Sequence, residues 1–308
     1  MNILFFIEHE FKPNSGGVQI VTEHLLKIFN KEGHHVILVS LLENDDSFNK
    51  IHLSKYLEVI YYKISKFDSA NKLKNIFMQN QIQVCINQAG YNVRATKIIL
   101  KAKTCNVKII NCLHINPLNF INNHELFISQ FLKSKGLSFI NNFLLRAFIL
   151  KYHKLKQAYE LNFIIKHIDA FVMLSKRFKS ELYQISPHLK QYEHKIYGIN
   201  NPFPIPNLKS KDFIKENAIL FVGRLNIAQK RTDFLLQIWK QLHHQLPNWK
   251  FWVVGYGPEK KNMMDFCKAN KLDRVHFFGK CDPNPYYQKA KLFHMTSAFE
   301  GFGNVLVE

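Results

Sequence analysis

Short apolar runs recur through this chain, each followed by a longer amphipathic stretch, and that alternation leaves few folds open. The runs "ILFFI", "HVILVS", "LEVIYYKI", "IQVCIN", "VKIINCL" and "DAFVML" occupy the first two thirds. Nearly unbroken apolar runs suit strands buried on both faces, and parallel strands need a crossover between them, usually a helix. In "GVQIVTEHLLKIFNKEG", Val18, Val21, Leu25 and Ile28 fall on one face at helical spacing, with Gly33 as the stop. One doubly wound α/β domain is expected over residues 1–200.

The pattern restarts after "GINNPFPIPNLKSKD", where Pro202, Pro204 and Pro206 in a polar context predict an interdomain linker. "AILFVG", "WKFWVVG", "RVHFFG" and "KLFHMT" then read as strands, and "RTDFLLQIWKQLHHQL" as a helix with Phe234, Leu235, Ile238, Trp239 and Leu242 on its apolar face. A second Rossmann-like domain is expected over 201–308. Two such domains in tandem would take ligands at the carboxyl ends of their strands, in a cleft between them. Between the fifth and sixth strands lies an insert, 120–168. It predicts a pair of core-covering helices. Its Lys133, Lys135, Arg146, Lys151, Lys154 and Lys156 also allow a basic amphipathic surface lying on an anionic bilayer.

Composition excludes a disordered chain: 308 residues with 47% hydrophobic content can bury a substantial core. The excess of 42 Lys and Arg over 23 Asp and Glu gives +19 and favours anionic partners, whether nucleic acid, acidic lipid or a phosphorylated small molecule. Five cysteines (Cys85, Cys105, Cys112, Cys267, Cys281) without a C-x-x-C pair argue against a disulfide framework or zinc ribbon and read as packing residues in a reducing cytosol. The opening "MNILFFIEHE" lacks the basic start of a signal peptide and reads as a strand. A membrane span needs about 20 apolar residues, and even "FINNFLLRAFIL" is interrupted by Asn141, Asn142 and Arg146. A cytoplasmic protein, soluble or peripheral on the membrane, is expected.

Several loops carry chemistry. In "FVGRLNIAQKRTDFLL" a strand ends at Gly223, Arg224 follows, and Lys230 and Arg231 sit where the next helix begins. Two cations at a strand end suit a diphosphate, although such residues are most often simply solvated. "GYGP" after the next strand resembles half of a dinucleotide fingerprint; Gly255 and Gly257 leave room for a base or ribose, and Pro258 reads as the first helical residue. In "TSAFEGFGNVLVE", Glu300 is expected on a loop and "GFGN" allows close backbone approach. A helix starting at Val305 would carry Glu308. The two carboxylates suit sugar hydroxyls, and a glycosidase pair is the alternative. Nearby cations favour a nucleotide-sugar. Gly16-Gly17 precede the first helix, where an anion can bind, or form a plain turn. His114 follows a strand end and draws attention only by that position.

Absent patterns narrow the field. There is no G-x-x-x-x-G-K-[ST], H-E-x-x-H, G-x-S-x-G or D-x-D. His34-His35 and His243-His244 are adjacent rather than four apart, so neither converges on a metal from a helix. A site without metal or cofactor is expected.

Taken in order, "SGGVQIVTEHLLKIFNKEGHHVILVS", "FVGRLNIAQKRTDFLLQIW", "PNWKFWVVGYGPE", "VHFFG", "YYQKAKLFHMTS" and "EGFGNVLVE" resemble glycosyltransferase family 4. The resemblance runs nearly the whole chain. It is most specific at Arg224 with Lys230, followed by the pair Glu300 and Glu308. It implies the GT-B fold and a retaining, nucleotide-sugar-dependent transferase, with a UDP-sugar as the expected donor. Arg224 and Lys230 would bind the donor diphosphate in place of a metal. Glu300 would contact the donor sugar, Gly301, Phe302, Gly303 and Asn304 would approach sugar and phosphate, and Glu308 would hold the ribose. Gly16 and Gly17 would line the acceptor and phosphate side, and His114 would sit by the transferred sugar. No nucleophile is implied. Relatives with this ending commonly build bacterial surface polysaccharides such as lipopolysaccharide or capsule, often on lipid-linked acceptors. They also continue past the second glutamate, so the resemblance implies a C-terminally truncated, incomplete second domain. The alternatives are an inactive remnant of such an enzyme and a basic nucleic-acid-binding protein. The second of these lacks a basic helix or an aromatic and basic sheet motif.

Overall fold

The computed structural model describes residues 1–12, 16–43, 45–54, 57–202 and 214–307. They form two compact units, the first from Met1–Asn122 and Phe143–Pro204, the second from Asn123–Asn142 and Ile205–Glu308. Of the linker prolines, Pro204 and Pro206 lie outside the described residues.

The strands of the first unit are β1 (Asn2–Ile7), β2 (His35–Leu42), β3 (Ser47–Ser54), β4 (Leu57–Ser65), β5 (Val84–Asn87), β6 (Lys108–Leu113), β7 (Ala170–Met173) and β8 (Ile196–Gly198). They lie side by side as β3-β4-β2-β1-β5-β6-β7-β8. Every pairing is parallel except the antiparallel β3 with β4. The helices are α1 (Gly17–Lys31), α2 (Ser69–Gln79), α3 (Val93–Ala102), α5 (Phe143–His167) and α6 (Phe178–Ile185), while α4 (Asn119–Ser134) starts in this unit and continues into the second. β1 runs between β2 and β5, covered on both faces, which explains why its sequence is apolar from Ile3 to Ile7: Leu4, Phe5 and Phe6 are fully buried. Phe5 packs toward α1, its ring 5.9 Å from that of Phe29.

Buried amides fix the carboxyl ends of β5 and β6. Asn87 Nδ2 donates to Asn111 Oδ1 at 3.1 Å, and Asn111 Nδ2 donates to Thr96 Oγ1 of α3 at 2.9 Å. All three residues are fully buried, so each amide depends on these partners. Gln88 and His114 emerge just beyond this network.

Three expectations shift. The packed side of α1 is Val21, Leu25, Leu26 and Phe29, whereas Val18 and Ile28 are exposed. β3 and β8 were not foreseen, because "SFNKIHLS" is a polar edge hairpin strand and β8 is three residues long. The insert is helical, yet only parts of it cover a core. α4 buries Ile128 and Leu132, and α5 buries Leu161, Ile164 and Ile165 near its C-terminal end, while much of α5 faces outward.

The second unit holds β9 (Glu216–Val222), β10 (Lys250–Val254), β11 (Val275–Gly279) and β12 (Ala290–Phe293), all parallel, in the order β11-β10-β9-β12. Its helices are α7 (Ile227–Lys230), α8 (Thr232–Leu242), α9 (Lys260–Ala269) and α10 (Asn284–Lys289). α4 kinks at Asn123, where its chain passes into this unit, and Phe127 sets its ring 5.5 Å from Phe299. Trp239 of α8 is fully buried against Phe251 of β10, with ring centroids 5.4 Å apart.

The apolar face of α8 also differs from expectation: Leu235, Leu236 and Trp239 are buried, but Phe234 is 48% exposed, stacked beneath the Arg231 guanidinium. The two aromatics therefore differ sharply in what they contribute. Trp239→Ala should lower the unfolding free energy by about 3–5 kcal/mol and Phe234→Ala by under about 1 kcal/mol. Urea midpoints of the two variants check this; equal losses would restore the expected face.

Candidate functional site

β10, β9 and β12 are adjacent and parallel, so the loops leaving their carboxyl ends emerge along one edge of the second sheet. β9 runs into Gly223-Arg224-Leu225-Asn226, whose backbone lies directly on the loop after β10. Gly223 N–H donates to Val254 O at 3.0 Å, and Leu225 N–H to Tyr256 O at 2.8 Å. A Cβ on Gly255 would stand 1.8 Å from Gly223 O, and one on Gly257 2.2 Å from Leu225 O. These glycines let the two loops pack directly on each other. Pro258 lies in the turn before α9 rather than at its first position, which is Lys260.

Asn226 caps α7: its Oδ1 accepts from Gln229 N–H at 3.1 Å and Lys230 N–H at 3.0 Å. α7 stops after four residues because Arg231 adopts a left-handed φ of 49°. Lys230 consequently points inward, 8% exposed, with its stem alongside Gly223. The loop after β12 is tied along α7, with Thr296 Oγ1 donating to Lys230 O at 2.8 Å and Ala298 N–H to Gln229 O at 2.7 Å. These bonds bring Glu300 to Lys230, where Nζ and Oε1 lie 2.5 Å apart. A buried ammonium needs such a counter-charge. Arg224 is exposed, and no described carboxylate pairs with it. Arg231 is held instead by Asp233, through two bonds of 3.2 Å.

Beyond Glu300, Gly301, Phe302 and Asn304 are half-buried and Gly303 is buried at φ 76°. The helix expected from Val305 is a single 3₁₀ turn, Asn304–Leu306, closed by Leu306 N–H to Gly303 O at 2.8 Å. α-Helical bonds join residues four apart, so this short stretch closes only the tighter turn. Glu308 lies outside the described residues.

Gly16, Gly17 and His114 belong to the first unit. Gly16 is the N-cap of α1 at φ 118°, a torsion that excludes most side chains, although a Cβ there would touch nothing within 4 Å. Gly17 opens the helix and is exposed. His114 Nε2 lies 2.5 Å from Gln88 Oε1, while His114 Nδ1 and Gln88 Nε2 are buried with no partner among the described residues. Burial pushes the imidazole down to about 4, so His114 is neutral at pH 7.

Sequence reasoning missed several contributors. Asn226 carries a detectable signal, an amide at the cap position before "IAQK", but the bonds from Thr296 to α7 have no local signature. A cavity of about 540 Å³ in the first unit is lined in part by Glu8, Glu10, Glu43, Lys66, Asn92 and Arg94. Hydrogen bonds from Lys12 and Lys63 hold Glu10 below the usual carboxylate range, and Lys66 does the same for Glu43.

Residues 216–308 match the family model described as Glycosyl transferases group 1. Arg224, Lys230 and the whole segment from Glu300 to Glu308 fall inside the match. Among curated relatives, the amylovoran biosynthesis glycosyltransferase AmsD of Erwinia amylovora is 30% identical over 138 residues, 40% of this chain and 38% of AmsD. The matches span only 32% and 38% of the first two such relatives. Among solved structures, the lipopolysaccharide outer core galactosyltransferase WaaB aligns at TM-score 0.62 and 16% identity, over 100% of this chain and 77% of WaaB. An S. aureus TarM mutant in complex with fondaparinux, α-GlcNAc-glycerol and UDP aligns at TM-score 0.65 and 13% identity, over 97% of this chain and 82% of TarM. At these identities the likeness concerns the fold, which is GT-B.

The depressed pKa of His114 has a consequence for stability. The unfolded imidazole, near 6.5, binds protons more readily than the folded one, near 4. Stability from this group is therefore complete above pH 6.5 and is lost as the pH falls toward 4. The loss should be on the order of 2–3 kcal/mol. Urea unfolding of wild type and His114→Asn across that window should show it as a steeper slope in the wild type; identical slopes would contradict it.

Proposed function

We propose that the protein is a retaining glycosyltransferase that moves a sugar from a nucleotide-sugar, foremost a UDP-sugar, to a glycan or lipid-linked acceptor in bacterial surface polysaccharide synthesis. The observation that carries this reading is the placement of inward Lys230, paired with Glu300, and exposed Arg224 on one loop edge inside the family match. The names of AmsD and WaaB support a polysaccharide or lipopolysaccharide product, and the UDP in the TarM complex supports the donor nucleotide.

In this reading the bond from the anomeric carbon to the diphosphate breaks, and its electron pair leaves with the nucleoside diphosphate. The acceptor hydroxyl oxygen bonds to the same carbon, and its proton passes to the departing phosphate oxygen. Negative charge grows on the leaving group, and the chain meets it with the Arg224 fork and the Lys230 ammonium instead of a metal. Glu300, oriented by Lys230, offers its second oxygen to sugar hydroxyls. Gly301, Phe302, Gly303 and Asn304 supply backbone beside sugar and phosphate, and Glu308 takes the ribose. In the first unit, Gly16 and Gly17 serve the phosphate and acceptor side through the N–H groups that open α1. His114, neutral at working pH, serves the transferred sugar as a hydrogen-bonding group rather than as a charge. The carboxylate-lined cavity of the first unit suits a hydroxyl-rich acceptor.

Calorimetric titration with UDP in the presence of EDTA tests the proposal. Wild type should bind saturably, and Arg224→Ala and Lys230→Ala should each weaken binding at least about tenfold, equivalent to about 1.4 kcal/mol. A thermal melt of Lys230→Ala separates lost binding from the cost of stranding Glu300. Wild-type affinity in both folded variants would sink the assignment, and a panel with GDP and ADP selects the donor nucleotide.

A further inference from the structure

α5 is apolar on two sides. Leu161, Ile164 and Ile165 are fully buried, whereas Leu144 (77% exposed), Phe148 (71%), Tyr152 (56%), Leu155 (65%) and Tyr159 (70%) face outward. Their spacing of four, four, three and four residues puts them on one stripe, roughly 150° round the helix from the buried residues and about 22 Å long. Scattered exposed apolar residues are ordinary, but a contiguous stripe with a polar rim marks a docking surface.

The flanks identify the occupant. Lys151 and Lys154 border one side of the stripe and Lys156 the other, all three exposed. Along the whole helix Arg146, Lys151, Lys154, Lys156 and Lys166 stand against one acid, Glu160, which lies 3.9 Å from Lys156. Lysine is depleted in protein–protein interfaces. Beside aromatic residues at a bilayer surface, by contrast, its stem lies along the apolar zone while its ammonium reaches headgroup phosphates. The net charge of +19 adds attraction to the same surface. No described helix is long and apolar enough to cross a membrane.

We propose that the outward face of α5 docks this protein on an anionic lipid bilayer. The helix lies in the plane of the headgroups, with Leu144, Phe148, Tyr152, Leu155 and Tyr159 entering the acyl boundary and the lysines holding anionic phosphates. This rests on the first unit alone and is independent of the transferase reading.

The test is co-sedimentation of the full chain with vesicles of phosphatidylcholine, or of phosphatidylcholine mixed with phosphatidylglycerol, at low and high salt. Wild type should bind the mixed vesicles at least about tenfold more tightly than the neutral ones, and high salt should weaken that binding. The pair Phe148→Ser and Leu155→Ser should lose at least about tenfold with an unchanged melting temperature, since both side chains are exposed. Lys151→Glu with Lys154→Glu should remove the preference for anionic lipid. A Tyr152→Trp variant gives an independent gain of signal: its added emission should shift to the blue on mixed vesicles. Absence of vesicle binding, or equal binding by the serine variant, overturns the proposal. So does a solution dimer that the serine variant dissociates, which would assign the face to a second copy of the chain.

Discussion

The ion pair between Lys230 and Glu300 ties together the loops at the carboxyl edge of the second sheet. A lysine 8% exposed would be costly without a carboxylate against it, and its partner lies 70 positions along the chain. Topology makes the meeting possible, because β9 and β12 are parallel neighbours whose carboxyl ends lie side by side. The bonds from Thr296 and Ala298 to α7 then set the loop at the height where Glu300 reaches the ammonium. On the other flank Gly255 and Gly257 let two loop backbones touch, so β9 and β10 also end in fixed positions. Against this rigid frame Arg224 stands exposed, and its fork is left to meet something from outside.

Strands buried on both faces were legible as nearly unbroken apolar runs; β1, apolar from Ile3 to Ile7, is the clearest case. Helices were legible as helices, but their packed faces were not. α1 carries Val18, Ile20, Val21, Leu25, Leu26, Ile28 and Phe29, enough for more than one apolar stripe, and the sheet selected the one through Leu26. On α8 the exposed Phe234 found a local cation, so an apolar residue stayed outside without contradicting the pattern. α5 is the extreme case: apolar residues on opposite sides cancel the periodicity that would reveal either face.

At the site, residue types were readable and pairings were not. Arg224, Lys230 and Glu300 attract notice by charge at strand ends, yet nothing local says that two of them bond to each other while the third stays outside. Glycine signals close approach without saying what approaches; at Gly255 and Gly257 it is the protein's own carbonyls. His114 likewise meets Gln88, a neighbour supplied by the adjacent strand end just beyond the Asn87 and Asn111 amides, in surroundings whose burial holds it neutral. These are contacts between segments far apart in the chain, which local patterns do not encode.

The charge of +19 gains meaning from the same distinction. Many of its cations are structural: Lys63 is shared by Glu10 and Asp45, Lys72 pairs with Asp46, and Asp169 holds both Lys103 and Lys108. Removing any of these would disturb a local loop or strand end more than any encounter with a partner. Lys151, Lys154 and Arg224 have no such carboxylate among the described residues. A cation already facing a carboxylate contributes little field beyond a few ångströms, because the pair is nearly neutral at a distance. The field that an anionic ligand or surface meets therefore comes from the uncompensated cations. Net charge alone does not say where an anion would be met; the pairing pattern leaves Arg224 on the β9 loop and Lys151 and Lys154 on α5 among the cations without a carboxylate among the described residues.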